Sequence, residues 1–145
     1  MNITKWHISD IKLIIPSYME YFNSDEDAQW TEQKVERRLL QLLVREDNLG
    51  LLMKNKKDFV GFVVDQLMQY DDGLVLELNE LFIAAKYQNK GYGSKLLNEI
   101  EIRAKAKGAF RLQLTTGDDK KHHNFYNTKH DYSDCSNNII KAKQL

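Results

Sequence analysis

Apolar positions along this chain switch between a helical period and a period of two, and the switches mark out its elements. "NITKW" (2–6) alternates and ends on an aromatic residue, which predicts a first strand. Ser9 and Asp10 carry N-cap chemistry ahead of Ile11, Ile14, Ile15, Tyr18 and Phe22, which recur at helical spacing. Pro16 falls inside that pattern, so a kink, or a helix starting nearer the proline, is expected. After the acidic loop "NSDEDAQ" (23–29), Thr31 opens a second helix with Val35, Leu39, Leu42 and Leu43 on its apolar face. Three strands follow, "LGLLMK" (49–54), "FVGFVVDQLMQY" (59–70) and "LVLELNELFIAA" (74–85), joined by the turns "NKKD" and "DDG".

The third of these strands loses its phase at Glu80-Leu81-Phe82-Ile83, the mark of a bulge. Beyond it, Leu96, Leu97, Ile100, Ile102 and Ala104 line one face of a helix that ends at Gly108, a residue suited to a left-handed cap. "FRLQLTT" (110–116) alternates, with Phe110, Leu112 and Leu114 pointing inward. "DDKKHHNFYNTKH" (118–130) reads as a short polar helix, and "NNIIKAKQL" can supply a last strand. The order β-α-α-β-β-β-α-β-α-β predicts an α/β fold, a mixed sheet with helices on both faces.

Composition narrows the class. At 145 residues the chain reads as a single domain spanning 1–145. Twenty-one basic residues balance twenty-one acidic ones, so no global charge points to nucleic acid. One cysteine, Cys135, excludes an internal disulfide, and a lone cysteine with four histidines argues against a metal site. Apolar runs are far shorter than the roughly 20 residues that cross a bilayer. The N-terminus lacks the pattern of a signal peptide. The expectation is a soluble, cytoplasmic protein without membrane or nucleic-acid partners.

The stretch "YQNKGYGSKLL" (87–97) carries the chemistry. It sits between a strand and an apolar-faced helix, where backbone N–H groups and the positive helix end can hold a phosphate. Gly91 and Gly93 let the backbone approach closely, and Lys86, Lys90 and Lys95 add positive charge. The spacing is wrong for a Walker A loop, and Leu96 stands where a dinucleotide fingerprint needs its third glycine. On spacing alone, a plain glycine-rich turn stays open.

The segment "ELNELFIAAKYQNKGYGSKLLNEIEIRAKAKGAFRLQLTT" resembles the cofactor-binding core of the GNAT superfamily of N-acetyltransferases. Its motif (Gln/Arg)-x-x-Gly-x-(Gly/Ala) is complete as Gln88-Asn89-Lys90-Gly91-Tyr92-Gly93. "YMEYFNSDEDAQWTEQKVERRL" is similar to the first two helices of bacterial members, aminoglycoside acetyltransferase-like ones among them. "NFYNTKHDYS" is similar to the late "FYxxxGF" segment, and "IIKAKQL" to the closing strand. The resemblance implies a mostly antiparallel sheet splayed at a bulged central strand. It also implies acetyl-CoA as co-substrate, with backbone groups of Leu81, Phe82 and Ile83 on the pantetheine arm. The amides of Gln88, Asn89, Lys90, Gly91, Tyr92, Gly93 and Ser94 would then hold the pyrophosphate.

By the same resemblance Tyr126 is the candidate general acid for the CoA sulfur, and the Ile83 N–H the candidate donor to the thioester carbonyl. For the base, Glu77 and Glu80 lie at odd spacing, on opposite sides of a regular strand unless a bulge intervenes. Glu80, next to the pantetheine segment, is the favoured one. His122 and His123 rank behind it, in a polar segment. Two departures stand out: Asp119 replaces a frequent asparagine, and "YxxxGF" becomes Tyr126-Asn127-Thr128-Lys129-His130-Asp131-Tyr132, without glycine and one residue longer.

The implied activity is direct acetyl transfer to a primary amine of a small acceptor. Asp25, Glu26, Asp27, Asp71 and Asp72 favour a cationic acceptor if they converge, and Trp30 either lines an acceptor pocket or closes the core. The alternative is an acyl-CoA-binding sensor on the same fold with little turnover. Relatives often pair, so the resemblance suggests a homodimer.

Overall fold

In the computed structural model, described for residues 1–135 and 137–145, five strands cross one sheet in chain order. They are β1 (Asn2–Lys5), β2 (Leu51–Asn55), β3 (Asp58–Tyr70), β4 (Gly73–Ile83) and β5 (Ala109–Leu114). The first four pair antiparallel, and β5 joins β4 in parallel, so the sheet is mixed and mostly antiparallel. The hairpin turns are two residues long: Asn55 pairs with Asp58, and Tyr70 with Gly73.

Helix α1 (Ile11–Glu20) runs unbroken through Pro16 and widens into a π-helical turn, Tyr21–Asp25. Asp10 precedes it, but its carboxylate reaches back to the His7 N–H at 2.8 Å and pairs with Lys54 at 3.0 Å. Helix α2 (Glu32–Leu43) starts where its cap chemistry predicts, the Thr31 hydroxyl accepting from the Lys34 N–H. These helices cover one face of the sheet. Trp6, Ile14, Tyr18, Val35, Leu39, Leu52, Phe62, Val64 and Phe82 form the core there. Full burial of each such side chain contributes about 1.5–3 kcal/mol.

Helix α3 (Tyr92–Ala106) takes the other face through Leu96, Leu97, Ile100 and Ala104. Ile102, expected with them, is instead 64% exposed. Two residues beyond Ile100 is about 200° of rotation, which carries the side chain off the buried stripe. Gly108 ends the helix at φ +95°, as its cap role requires.

Phe110 also departs from expectation, at 55% exposure. The β4–β5 register slips here, Leu74 pairing with Ala109 and Val75 with Arg111, so Phe110 is the extra residue of an edge strand. Its ring lies over Gly73, where a Cβ would stand 2.8 Å away.

The strands, α1, α2 and α3 belong to one compact unit, Met1–Leu114, and Thr115–Leu145 form a second. In the second, α4 (Lys120–His123) runs into a π-helical turn, Asn124–Lys129. No strand forms at residues 137–145, contrary to the expected closing strand. "IIKAKQL" offers one apolar pair followed by lysines, and Ile139 and Ile140 are exposed at 77% and 82%. That leaves little buried area to offset the ordering of a strand.

Candidate active site

The site is built on a defect in β4. Val64 pairs with Glu80 and Asp65 with Leu78, leaving Asn79 as the extra residue of a β-bulge. The phase break at 80–83 is therefore real, and its source lies one residue earlier. Counting across the register puts Glu77 opposite Gln66 and Glu80 opposite Val64, so the bulge brings both glutamates to one face.

At the same point β4 and β5 part. Their pairing ends at Leu78 and Leu114, while β4 continues to Ile83 with β3 alone. The Ala84 N–H bonds the Val60 carbonyl. By strand alternation the main-chain groups of Leu81 and Ile83 then point away from β3. They face the side where β4 has no strand partner among the described residues. The Leu81 and Ile83 side chains stay half-buried, and Phe82 turns into the aromatic core, stacked on Phe59 at 6.1 Å.

Glu80 is not a solvated strand-end carboxylate. Its side chain is 13% exposed, beneath α1 and α2. Arg38 Nη2 lies 3.5 Å from Glu80 Oε2 in an ion pair, and Tyr18 offers its hydroxyl to the same carboxylate. Burial pushes the Glu80 carboxyl above its ordinary value, against the opposing pull of Tyr18 and Arg38. Burial and Glu80 together push the Tyr18 phenol far up, so it stays protonated. Glu77, nearer the hairpin, accepts from the Tyr70 hydroxyl and from Gln113 Nε2.

The glycine loop follows a short turn, Ala85–Tyr87. Gln88 Nε2 donates to the Ile83 carbonyl at 2.9 Å, tying loop to strand end. Asn89 and Gly91 take left-handed conformations, φ +58° and +83°. Gly91 is the N-cap of α3 and, having no side chain, makes no cap bond of its own. A Cβ on Gly91 would meet nothing within 4 Å, so its backbone borders open space. Glycine is needed there for the dihedral angle more than for room. Tyr92, Gly93 and Ser94 form the first turn, whose N–H groups point out of the helix start. Lys90 and Lys86 sit over the Tyr87 ring, and Lys95 over Tyr92, with Lys86 shared with Asp58. This arrangement suits an anion.

The remaining candidates fall elsewhere. Asp25, Glu26 and Asp27 are exposed, Glu26 accepting from Tyr21, and Asp71 and Asp72 form the exposed β3–β4 turn. Trp30 packs edge-on against Tyr18 at 5.5 Å, partly buried, with its backbone clamped by both ends of the Asn23 amide. It closes the core.

In the second unit Tyr126 is 8% exposed, against Phe125 and Tyr132, and burial pushes its phenol up to about 12. The residue inserted after it is absorbed by the π-helical turn, and the left-handed position is taken by Asp131 at φ +61°. His122 and His123 each engage a carboxylate through one ring nitrogen, Asp119 and Asp118 respectively, at 2.6 Å. Sequence reasoning passed over Arg38. The signal was available: position 38 lies three after Val35 and four before Leu42, on the stripe that faces the core.

The Acetyltransferase (GNAT) family matches residues 15–132. The chain is similar to YhfO, an uncharacterized N-acetyltransferase of Bacillus subtilis (strain 168), at 29% identity over 86% of this chain and 81% of that one. A ribosomal-protein-alanine N-acetyltransferase of Brucella melitensis biovar Abortus 2308 superposes with a TM-score of 0.77. That match has 16% identity and covers 97% of this chain and 99% of the other. The aminoglycoside N-acetyltransferase AAC(6')-Iy, in complex with CoA, superposes with a TM-score of 0.76. Its identity is 11%, over 99% of this chain and 95% of that one. At these identities the two structures speak for the fold alone. Among the described residues no helix is long and apolar enough to cross a membrane, and no cluster of metal-binding side chains occurs.

Proposed function

This chain belongs to the Acetyltransferase (GNAT) family and is an N-acetyltransferase, and from that premise we propose that it carries an acetyl group directly from acetyl-CoA to a primary amine of a small acceptor. Acetyl-CoA is the family's donor. The observation that carries the reading is the parting of β4 and β5 at Leu78, beside a helix start led by Gly91.

The residues fit the donor. Main-chain groups of Leu81 and Ile83 are the proposed partners of the pantetheine amides; those of Phe82, expected to share the role, point toward β3. Amides of the Gln88–Ser94 loop, with Lys90 and Lys95 close by, are the proposed pyrophosphate site. Open space at Gly91 leaves its backbone accessible, which supports this assignment.

Glu80 is the proposed base. Its carboxylate takes a proton from the acceptor ammonium, directly or through a water, and leaves a neutral amine. The amine nitrogen attacks the thioester carbonyl; a C–N bond forms, the C–S bond breaks with its electron pair leaving on sulfur, and the nitrogen sheds its second proton to solvent. The Ile83 N–H is the proposed donor to the carbonyl oxygen as charge develops there. Tyr126 is proposed as the donor to the departing thiolate. A phenol near 12 gives its proton to a thiolate of ordinary pKa, about 8.5, only uphill. Its contribution is then a hydrogen bond to sulfur more than a completed transfer.

For the acceptor, a cationic amine such as an aminoglycoside, a polyamine or a lysine-like compound is proposed on the acidic character of two separate exposed loops, Asp25, Glu26 and Asp27 in one and Asp71 and Asp72 in the other. A homodimer is proposed on the family's habit alone. The widened turn after Tyr126 favours a second reading, an acyl-CoA sensor with little turnover. A panel of amines with acetyl-CoA, monitored for free thiol, separates the two. Amine-dependent thiol release supports transfer. Tight CoA binding with no release from any amine overturns transfer in favour of the sensor.

A further inference from the structure

Three elements meet at one carboxylate. Glu80 rises from β4, Tyr18 descends from α1, and Arg38 reaches in from α2. Around them the face is apolar: Val64 stands opposite Glu80, with Phe62 and Phe82 beside it. From β3, nothing titratable faces the carboxylate at the paired position. From β4 itself, the next acid on that face is Glu77, whose carboxylate is engaged by Tyr70 and Gln113. The positive charge brought to Glu80 comes from Arg38.

We infer that Arg38 is a positioning residue that keeps Glu80 ionised and aimed for proton abstraction, with Tyr18 as the fixed second contact. The inference rests on reading Glu80 as the base. The two partners are built differently. Tyr18 is buried at 2% exposure and packed against Phe22, Trp30, Phe62 and Phe82, so its hydroxyl has no freedom to leave. Arg38 is 46% exposed and lies 3.5 Å from Glu80 Oε2 through Nη2. One end of its guanidinium is already in solvent, and rotation of the side chain outward opens no cavity in the core.

The device is therefore asymmetric. Tyr18 fixes where the carboxylate points and favours its ionised form through the hydroxyl, and Arg38 adds the adjustable positive charge. An opposite charge at this range lowers a carboxyl pKa by about 1–3 units. With Arg38 in place Glu80 accepts a proton from the acceptor, and the adjoining cation then favours its return to solvent. With Arg38 turned away, an apolar pocket holds Glu80 protonated and unable to act. Arg38 stands at the edge of the core-facing stripe of α2, where Nη2 reaches Glu80 while the side chain still meets solvent.

The test is a carboxyl-carbon NMR titration of Glu80 in the full chain, compared among wild type, Arg38→Gln and Arg38→Lys. The expected result is a Glu80 titration moved up by about 1–3 units in the Gln variant and mostly restored in the Lys variant. The acidic limb of kcat/KM, for an amine that turns over, should move with it. A Glu80 titration unchanged in Arg38→Gln overturns the inference. If the titration moves while the acidic limb stays and Glu80→Gln keeps wild-type turnover, the base reading fails and only an ion pair is left.

Discussion

Gln88 and Ile83 are joined by a hydrogen bond from the Gln88 side-chain amide to the Ile83 carbonyl, 2.9 Å long, across the corner between β4 and the glycine loop. The bond fixes the loop to the strand end whose main chain is proposed to hold the donor. It also occupies the outward carbonyl of Ile83, leaving the N–H of that residue as the group free to act.

Replacing Gln88 with Ala removes this tie without touching the core. Loss of one part-buried hydrogen bond, worth about 1 kcal/mol, should weaken CoA binding about fivefold and lower the melting temperature only slightly. Calorimetry with CoA and a thermal melt check both. CoA affinity equal to wild type would show that the loop holds its shape unaided.

Gly91→Glu should abolish CoA binding while the domain stays folded. A Cβ at this position meets open space, so the local cost is that of a left-handed residue, about 1–2 kcal/mol. Gly91→Ala carries the same strain without the charge and should keep most of the affinity. Comparable losses in the two variants would place the effect in the backbone and not in repulsion of a phosphate.

Tyr126→Phe should lower turnover about tenfold or more with CoA affinity near wild type, as expected when a donor to the leaving group is lost. Circular dichroism should show an intact fold, since the ring keeps its packing against Phe125 and Tyr132. Unchanged turnover in steady-state kinetics removes this residue from the mechanism.

Asp65 gives a stability prediction. It is fully buried in β3, one oxygen accepting from the Leu49 N–H at 2.8 Å and the other without a partner. Burial pushes its carboxyl from an ordinary 3.8 up to about 6. A carboxyl raised by folding is most favourable while protonated, below 3.8, and that advantage is lost as pH climbs through 6. The difference corresponds to about 3 kcal/mol between pH 3 and pH 7.5. Asp65→Asn keeps an oxygen for Leu49 and removes the titration. Relative to wild type it should gain about that much in urea melts at pH 7.5 compared with pH 3. A gap between the two proteins that does not change with pH would count against a raised carboxyl.

Local chemistry was legible where one residue type serves one geometry. Thr31 announced the start of α2, Gly108 the end of α3, and the two-residue turns fell where the polar pairs stood. What depended on neighbours in space was not. Ile102 looked like part of a buried stripe until its angle around the helix was set by the sheet, and Phe110 alternated correctly in a strand whose edge position and slipped register turned it outward.

The phase break in β4 was visible, but the pairing partner alone shows that Asn79 is the extra residue. Glu80 read as the favoured base from its place beside the pantetheine segment, but the sequence does not show that Arg38 and Tyr18 close over it from two helices. The closing strand failed because resemblance to a pattern supplies no buried area, and "IIKAKQL" has little to offer.

Asn79 acts as a parity bit, and it does so by staying out of the ladder. Were it paired opposite Val64, every residue from 80 onward would change sides. Glu80 would then be turned toward the face that α3 covers, away from Tyr18 and Arg38, and Leu81 and Ile83 would be pressed into the aromatic core. Deleting Asn79 does the reverse: Leu78 stays opposite Asp65 and Glu80 opposite Val64, so every side chain keeps its face and only the kink is lost. The identity of the side chain at 79 matters little for this, because the information is carried by the count.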